Sequence, residues 1–344
     1  MTKQKFLERS LIIVVLTLVL YFGTEILNGD SQARPTVLRI GYNVDSINHA
    51  PIMVAADAGI FTKHKLNVEL APLKSGKEIQ QALALGRIDI GSAGATNFFI
   101  PISKGAPVKI IAPSTLSPTY VFVRPDGGIK SFSDLNGKTI ASRAGESSNW
   151  ALRQALEKEG VEINSVQFLD IDKTLRPIAL MEKKIVDAAV AGEYEDAVYK
   201  AAGAVIFDEW SKKNYINLSL PRTVIAVNTD FSNSNPKLIG WFIEAFIESQ
   251  KYIKDNQDQA ADMVSNHIQK GTNGAGGSSP MEIKEAWKGV KYTLWYDPSA
   301  FTELARLAKE VGDIEKNITL EQIMDLRFEK TLSKSQNDVY GKKD

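Results

Sequence analysis

The sequence predicts an α/β protein built from two similar lobes with a cleft between them. Short apolar strands alternate with helical stretches from residue 37 to residue 207, the signature of βαβ units and a mainly parallel sheet. Ile88, Asp89, Ala93 and Gly94 are echoed at equal spacing by Val186, Asp187, Ala191 and Gly192, so two strand–loop units resemble each other. A late strand, 220–228, takes the chain back to the first lobe, and two crossings make a hinge. The expected division is lobe one at 36–122 and 222–330, lobe two at 123–221, and a mobile tail at 331–344. A length of 344 residues agrees, being long for a single core.

Composition narrows the chemistry. Hydrophobic residues at 44% and charged residues at 24% are ordinary for a soluble domain. The 41 basic and 41 acidic residues cancel, which argues against a nucleic-acid partner, since that affinity needs a basic excess. There is no cysteine, hence no disulfide, thiol nucleophile or iron–sulfur cluster. With His49, His64 and His267 far apart, neither a metal nor a cofactor is expected.

The chain opens with Lys3, Lys5 and Arg9 before an apolar run at 11–22, and Ser31-Gln32-Ala33 offers a cleavage-like site. Residues 1–33 therefore read as a signal peptide or an N-terminal membrane anchor; the run is short for a span of roughly 20 residues. Either reading puts the mature chain outside the cytoplasm.

Strand 37–42 comes next, then the loop Asn43 to Asn48, and an Ala-rich helix at 49–64 with Pro51 in its first turn. Strand 66–70 alternates apolar and polar residues. Helix 78–85, the strand ending near Ile90, helix 96–104 and strand 108–112 complete the first run. Strand 120–124 leaves the lobe, and Pro125-Asp126-Gly127-Gly128 is a turn cluster. Strand 138–142, a helix to Glu159 capped by Ser147 or Ser148, strand 166–171, helix 174–184, strand 185–190 and strand 204–207 follow. Asn235 and Pro236 open a helix running towards His267, 271–280 is a loop with four glycines, and helices centred on Ala286, Ala305 and Met324 end the fold.

The candidate site is the set of loops at strand carboxyl ends, where open α/β sheets hold ligands. Gly94, Ala95, Thr96 and Asn97 offer backbone and side-chain groups at a helix start. Gly145, Glu146, Ser147 and Ser148 offer the same from lobe two, either to hold an oxyanion or simply to cap a helix. Glu146 would repel an anion unless it turns outward or pairs with a ligand amine, and Glu193 with Tyr194 raises the same possibility after Gly192. His49 is either a donor into the cleft or a polar residue of the first turn. Asp89 and Asp187 read as acceptors tying down neighbouring backbone N–H groups. Trp241, Phe242 and Phe246 fall at core spacing. The glycine-rich 271–280 segment lacks the ending of a P-loop, and Gly91-Ser92-Ala93-Gly94 has the wrong spacing for a nucleophile elbow.

Leu38-Arg39-Ile40-Gly41-Tyr42, His49-Ala50-Pro51, Gly59-Ile60-Phe61, Leu66-Asn67-Val68-Glu69, Gly105-Ala106-Pro107-Val108 and Asp134-Leu135-Asn136-Gly137-Lys138 come in an order that resembles a known family. It is similar to the solute-binding proteins of nitrate/sulfonate/taurine (NitT/TauT) ABC importers, and also to thiamine-pyrimidine binding proteins. The resemblance spans about residues 37–328. It implies a two-lobed type II periplasmic-binding fold with a hinge and a helical C-terminal extension of lobe one. It also implies ligand contacts at Asp45, Ser46, His49, Ser75, Gly94 to Asn97, Thr115, Ser117, Gly145 to Ser148 and Gly192 to Tyr194. Many sulfonate binders carry an aromatic-acidic-proline loop where Gly192-Glu193-Tyr194 stands here. The implied function is extracytoplasmic capture of a small solute, an aliphatic sulfonate or a taurine-like compound, by a monomer serving an ABC permease and its ATPase. The alternatives are a pyrimidine thiamine precursor or a nitrate-type anion, an exported sensor module, or an enzyme on the same fold. The missing cysteine and the export segment weigh against the enzyme.

Overall fold

Two β-sheets organise the chain. The structure, a computed structural model, describes residues 36–116, 119–143, 147–171, 181–192, 199, 203–213, 221–273, 279–295 and 298–341. The expected signal or anchor at 1–33 lies outside the described residues, as does most of the helix expected at 174–184. Among the described residues no helix is long and apolar enough to cross a membrane.

The first sheet contains β1 (Val37–Asn43), β2 (Asn67–Leu73), β3 (Ile90–Gly94), β4 (Val108–Leu116), β10 (Pro221–Asn228) and β11 (Lys291–Tyr292), in the order β11-β4-β10-β3-β1-β2. The second contains β5 (Thr119–Val123), β6 (Thr139–Ser142), β7 (Gln167–Asp170), β8 (Ala188–Gly192) and β9 (Val205–Ile206), in the order β7-β6-β8-β5-β9. β5 thus belongs wholly to the second sheet. The strand echo is real: β3 lies parallel to β1, and β8 parallel to β6.

The echoed aspartates perform one identical task. Asp89 N–H donates to Arg39 O at 2.9 Å, and its carboxylate accepts from Arg39 N–H at 2.8 Å. Asp187 N–H donates to Thr139 O at 2.8 Å, and its carboxylate accepts from Thr139 N–H at 3.0 Å. Each staples the incoming strand to its parallel neighbour just before the site loop. An arginine then neutralises each: Arg39 forks onto Asp89 at 2.6 and 3.0 Å, and Arg124 reaches Asp187 at 3.3 Å.

Both sheets are covered on both faces, as expected for parallel strands. Leu38, Ile40 and Tyr42 face α1 (Ala50–Asp57), α8 (Pro236–Asp255) and α9 (Gln257–Gly271), where Phe242 and Phe246 are fully buried. The opposite face meets α3 (Gly76–Ala84), α4 (Ala95–Ser103) and α11 (Pro298–Glu310) through Ile79, Leu83, Phe98, Phe301 and Leu304. In the second sheet Ile140 packs on Leu152 and Leu156 of α5 (Ser147–Lys158) and on Trp210 of α6 (Asp208–Lys212). Phe122 and Ala141 share the other face with Tyr199.

Several expected elements are corrected. The helix at 49–64 is a 3₁₀ turn, Ile47–His49, followed by α1 and α2 (Ile60–Lys63), because Gly59 adopts φ +70° between the two helices. The long helix towards His267 breaks at Asn256, whose ψ of 51° separates α8 from α9. Asn235 precedes α8 without capping it; its amide bonds back to Phe231 O at 3.1 Å. A short α7 (Thr229–Ser234) precedes it, and α10 (Pro280–Trp287) follows α9. Met324 centres no helix: α12 (Leu320–Ile323) ends before it, and Met324 bridges to Ile110. The tail expected to be mobile from residue 331 instead forms α13 (Glu329–Tyr340). Leu332 and Val339 bury its apolar stripe, and Tyr340 bonds Gln250.

Two outcomes follow from these contacts. Asp89→Ala should cost about 3 kcal/mol in urea unfolding and Asp187→Ala about 1, because the first side chain is 2% exposed and the second 24%. Tyr42 is buried with its OH 2.5 Å from His267 Nε2, while His267 Nδ1 is 3.2 Å from Asp57. Burial, helped by the Asp57 charge, pushes the phenol up to about 12. A raised pKa means stability complete below the unfolded value near 10 and lost as pH climbs through 12, by up to about 3 kcal/mol. Unfolding measured across that window should show the loss, and Tyr42→Phe should flatten it.

Candidate functional site

The first sheet gathers the carboxyl ends of β1, β3 and β4 on one edge, with the start of β10 between β3 and β4. Thr223 of β10 stands opposite Gly94 on one side and Thr115 on the other. Tyr292 of β11 stands opposite Thr115 and donates its OH to Ile47 O at 2.6 Å. That bond hangs the 3₁₀ turn over the end of β4. From the turn, His49 Nδ1 comes within 2.7 Å of Ser92 Oγ, with both side chains buried.

Three polar groups here lack protein partners. Thr115 Oγ1, Ser114 Oγ and Asn48 Oδ1 are buried without a hydrogen bond. Each such orphan costs about 1–3 kcal/mol unless something completes it. Thr115, Thr223 and Ser92 lie on one face of the sheet by register, the face over which the 3₁₀ turn sits.

The helix starts differ in how they are capped. Ser75 caps α3, its Oγ accepting from Glu78 N–H at 3.2 Å, so this hydroxyl is already engaged. α4 begins at Gly94 and Ala95 without a side-chain cap, which leaves its first N–H groups to be satisfied otherwise. Thr96 is buried in its first turn, and Asn97 Nδ2 donates back to Gly94 O at 3.3 Å. Gly76 makes room for that amide: a Cβ there would stand 2.6 Å from Asn97 Nδ2. Asp45 is exposed, its N–H donating to Asn43 Oδ1 at 3.2 Å; Ser46 precedes the 3₁₀ turn in extended conformation.

On the second sheet β6 ends at Ser142 and β8 at Gly192, with Thr119 opposite Gly192. Asn149 Nδ2 donates to Ser142 Oγ at 2.6 Å, and Asn149 Oδ1 accepts from Arg153 Nε at 2.9 Å. Arg153 lies 4.0 Å over the Phe168 ring, and burial holds its pKa below the ordinary value. Ser148 is buried beside this chain of bonds, and Ser147 is already the first residue of α5. Ser117, Gly145, Glu146, Glu193 and Tyr194 lie outside the described residues. Among the described residues no cluster of His, Asp and Glu could hold a metal.

The structure therefore gathers His49, Gly94, Ala95 and Thr115 on one sheet edge, and Ser148 and Gly192 on the other. It engages Ser75 in the cap of α3, and Asp45 is exposed. Sequence reasoning missed Ser92, Ser114 and Thr223; Asn48 lies in the loop from Asp45 to His49 already singled out. Ser92 lies inside the strand already singled out, so its alternation with Gly91 and Ala93 was a usable signal. Thr223 carried none, because its place depends on pairing with Gly94 and Thr115, each about a third of the chain away.

The sequence matches the family described as NMT1/THI5 like over residues 46–260. A binding protein of Brucella abortus (strain 2308) is 25% identical over 231 residues, 67% of this chain and 71% of that protein. A taurine-binding periplasmic protein of Escherichia coli (strain K12) is 24% identical, covering 66% and 69%. Among solved structures, the periplasmic aliphatic sulphonate binding protein SsuA from Escherichia coli superposes with a TM-score of 0.68. It is 18% identical, with coverage of 85% of this chain and 92% of that one. The chain belongs to the NMT1/THI5-like family and has the two-lobed type II periplasmic-binding fold.

Proposed function

We propose that this is an extracytoplasmic solute-binding protein that captures a small organic solute between its lobes and delivers it to an ABC permease and its ATPase. The observation that carries the reading is the edge of the first sheet, where the buried orphan Thr115 lies across Thr223 from Gly94 at the uncapped start of α4, with the orphan Ser114 next to it in β4 and Asn48 in the 3₁₀ turn. A ligand that completes them recovers the cost of leaving them unpaired. Closure of the second lobe then brings the start of α5 and the Gly192 loop onto the ligand, which shifts an open–closed equilibrium. The binding contacts are Asp45, Ser46, His49, Thr115, the Gly94–Asn97 helix start and the loops at 145–148 and 192–194.

The resemblance to sulfonate and taurine binders supports an aliphatic sulfonate or taurine-like ligand, whose oxygens suit the N–H groups opening α4. Asn48 Oδ1 is an acceptor and calls for a ligand N–H, which the amine of taurine supplies. An aminopyrimidine supplies it too and is the second reading; nitrate does not.

Thermal-shift screening against taurine, alkanesulfonates, aminopyrimidines and nitrate tests the assignment. A true ligand at a hundred times its Kd should add about 2.7 kcal/mol, and silence from all four classes would sink it. Thr115→Val replaces the orphan hydroxyl by a methyl of similar shape. The free protein should gain about 1 kcal/mol in urea unfolding, while the ligand-induced shift shrinks. An unchanged shift would remove Thr115 from the site.

A further inference from the structure

Helix α5 is shared by the two lobes. Ala151, Leu152, Ala155 and Leu156 form the stripe that packs in the second sheet's core. Trp150, Gln154 and Glu157 recur at i, i+4 and i+7, a different stripe of the same helix. Trp150 is fully buried, but among first-lobe residues: it joins the cluster containing Phe98, Phe99, Phe301, Leu304 and Ala308. Its indole Nε1 donates to Asp313 Oδ2 at 2.6 Å, and Gln154 Nε2 donates to Glu303 Oε1 at 3.0 Å.

Phe99 and Trp150 hold matching places. Phe99 lies one turn behind the start of α4, and Trp150 one turn behind the start of α5. Their ring centroids are 6.3 Å apart at an interplanar angle of 37°. The two helices whose starts face the site thus touch through aromatic rings immediately behind it. Chain crossings between the sheets, 116–119 and 213–221, supply two covalent links; this ring contact is a third link that is not covalent.

We infer that Trp150 is a positioning residue: seated against Phe99 and locked by Asp313, it sets the separation of the α4 and α5 starts and is the point about which the lobes turn. The indole hydrogen bond matters because it fixes the ring's rotation as well as its burial. A phenyl ring at this position keeps the contact with Phe99 and loses the lock. The significance for binding rests on the cleft reading above, whereas the geometry of the lobes does not.

The cysteine-free chain permits a direct test on the full protein without any ligand. Exposed Leu85→Cys on the first lobe and Lys130→Cys on the second carry spin labels, and pulsed dipolar spectroscopy reads the interlobe distance distribution. Added to this pair, Trp150→Phe and Asp313→Ala should each raise the population with separated lobes roughly tenfold, the fold-change carried by a hydrogen bond to a charged acceptor. Combining them should add nothing further, since both remove the same bond. Gln154→Ala, which removes a separate tie, should widen the distribution additively. If the distributions for Trp150→Phe and Asp313→Ala both superimpose on the parent, the proposal falls. That result would leave the thermal-shift outcome, and hence the binding reading, untouched.

Discussion

A carboxylate at the entrance of a strand is the constraint on which both halves of this molecule depend. Asp89 and Asp187 each close a two-bond staple with the neighbouring parallel strand, and each is followed five residues later by a glycine at the end of its strand. Parallel pairing gives evenly spaced but slanted bonds that end abruptly at the strand mouth. A side-chain acceptor there satisfies an N–H that the ladder would otherwise leave open. The register of β3 on β1, and of β8 on β6, fixes where Gly94 and Gly192 emerge. Everything at the site inherits its position from those registers.

What surrounds the site shows polar groups divided between two uses. Ser75 is taken by the cap of α3, Asn97 by the carbonyl of Gly94, and Asn149 by Ser142 and Arg153. These bonds make the frame stiff. Asn48, Ser114 and Thr115 are held in the same frame without partners of their own. Holding unpaired groups in a rigid setting lowers the stability of the empty protein and lowers the reorganisation needed when a partner arrives.

Much of this was legible in the residues. The spacing of Asp89 and Gly94 against Asp187 and Gly192 foretold both lobes, because a local staple leaves a local mark. Phe242 and Phe246 declared themselves as core by helical spacing. The breaks at Gly59 and Asn256 were hidden, since the apolar pattern continues across them and only the backbone angles reveal the turns. The last helix was expected to be a mobile tail, yet two apolar residues, Leu332 and Val339, suffice when a core is there to receive them. Trp150 gave no sign of its role, because its neighbours, Phe99 and Asp313, lie 51 and 163 residues away in sequence. Contacts of that range leave no periodicity to read.

The placement of β10 governs how the molecule comes into being. This strand returns from the second lobe and enters between β3 and β4, not at an edge. The first sheet, whose other long strands precede residue 117, therefore stays split until residue 221 has been made. The second sheet has no such debt: all its strands lie between Thr119 and Ile206. The lobe that begins the sequence is consequently the one completed last, and its hydrophobic strands wait exposed in the meantime. Long-range insertion of this kind makes folding slow.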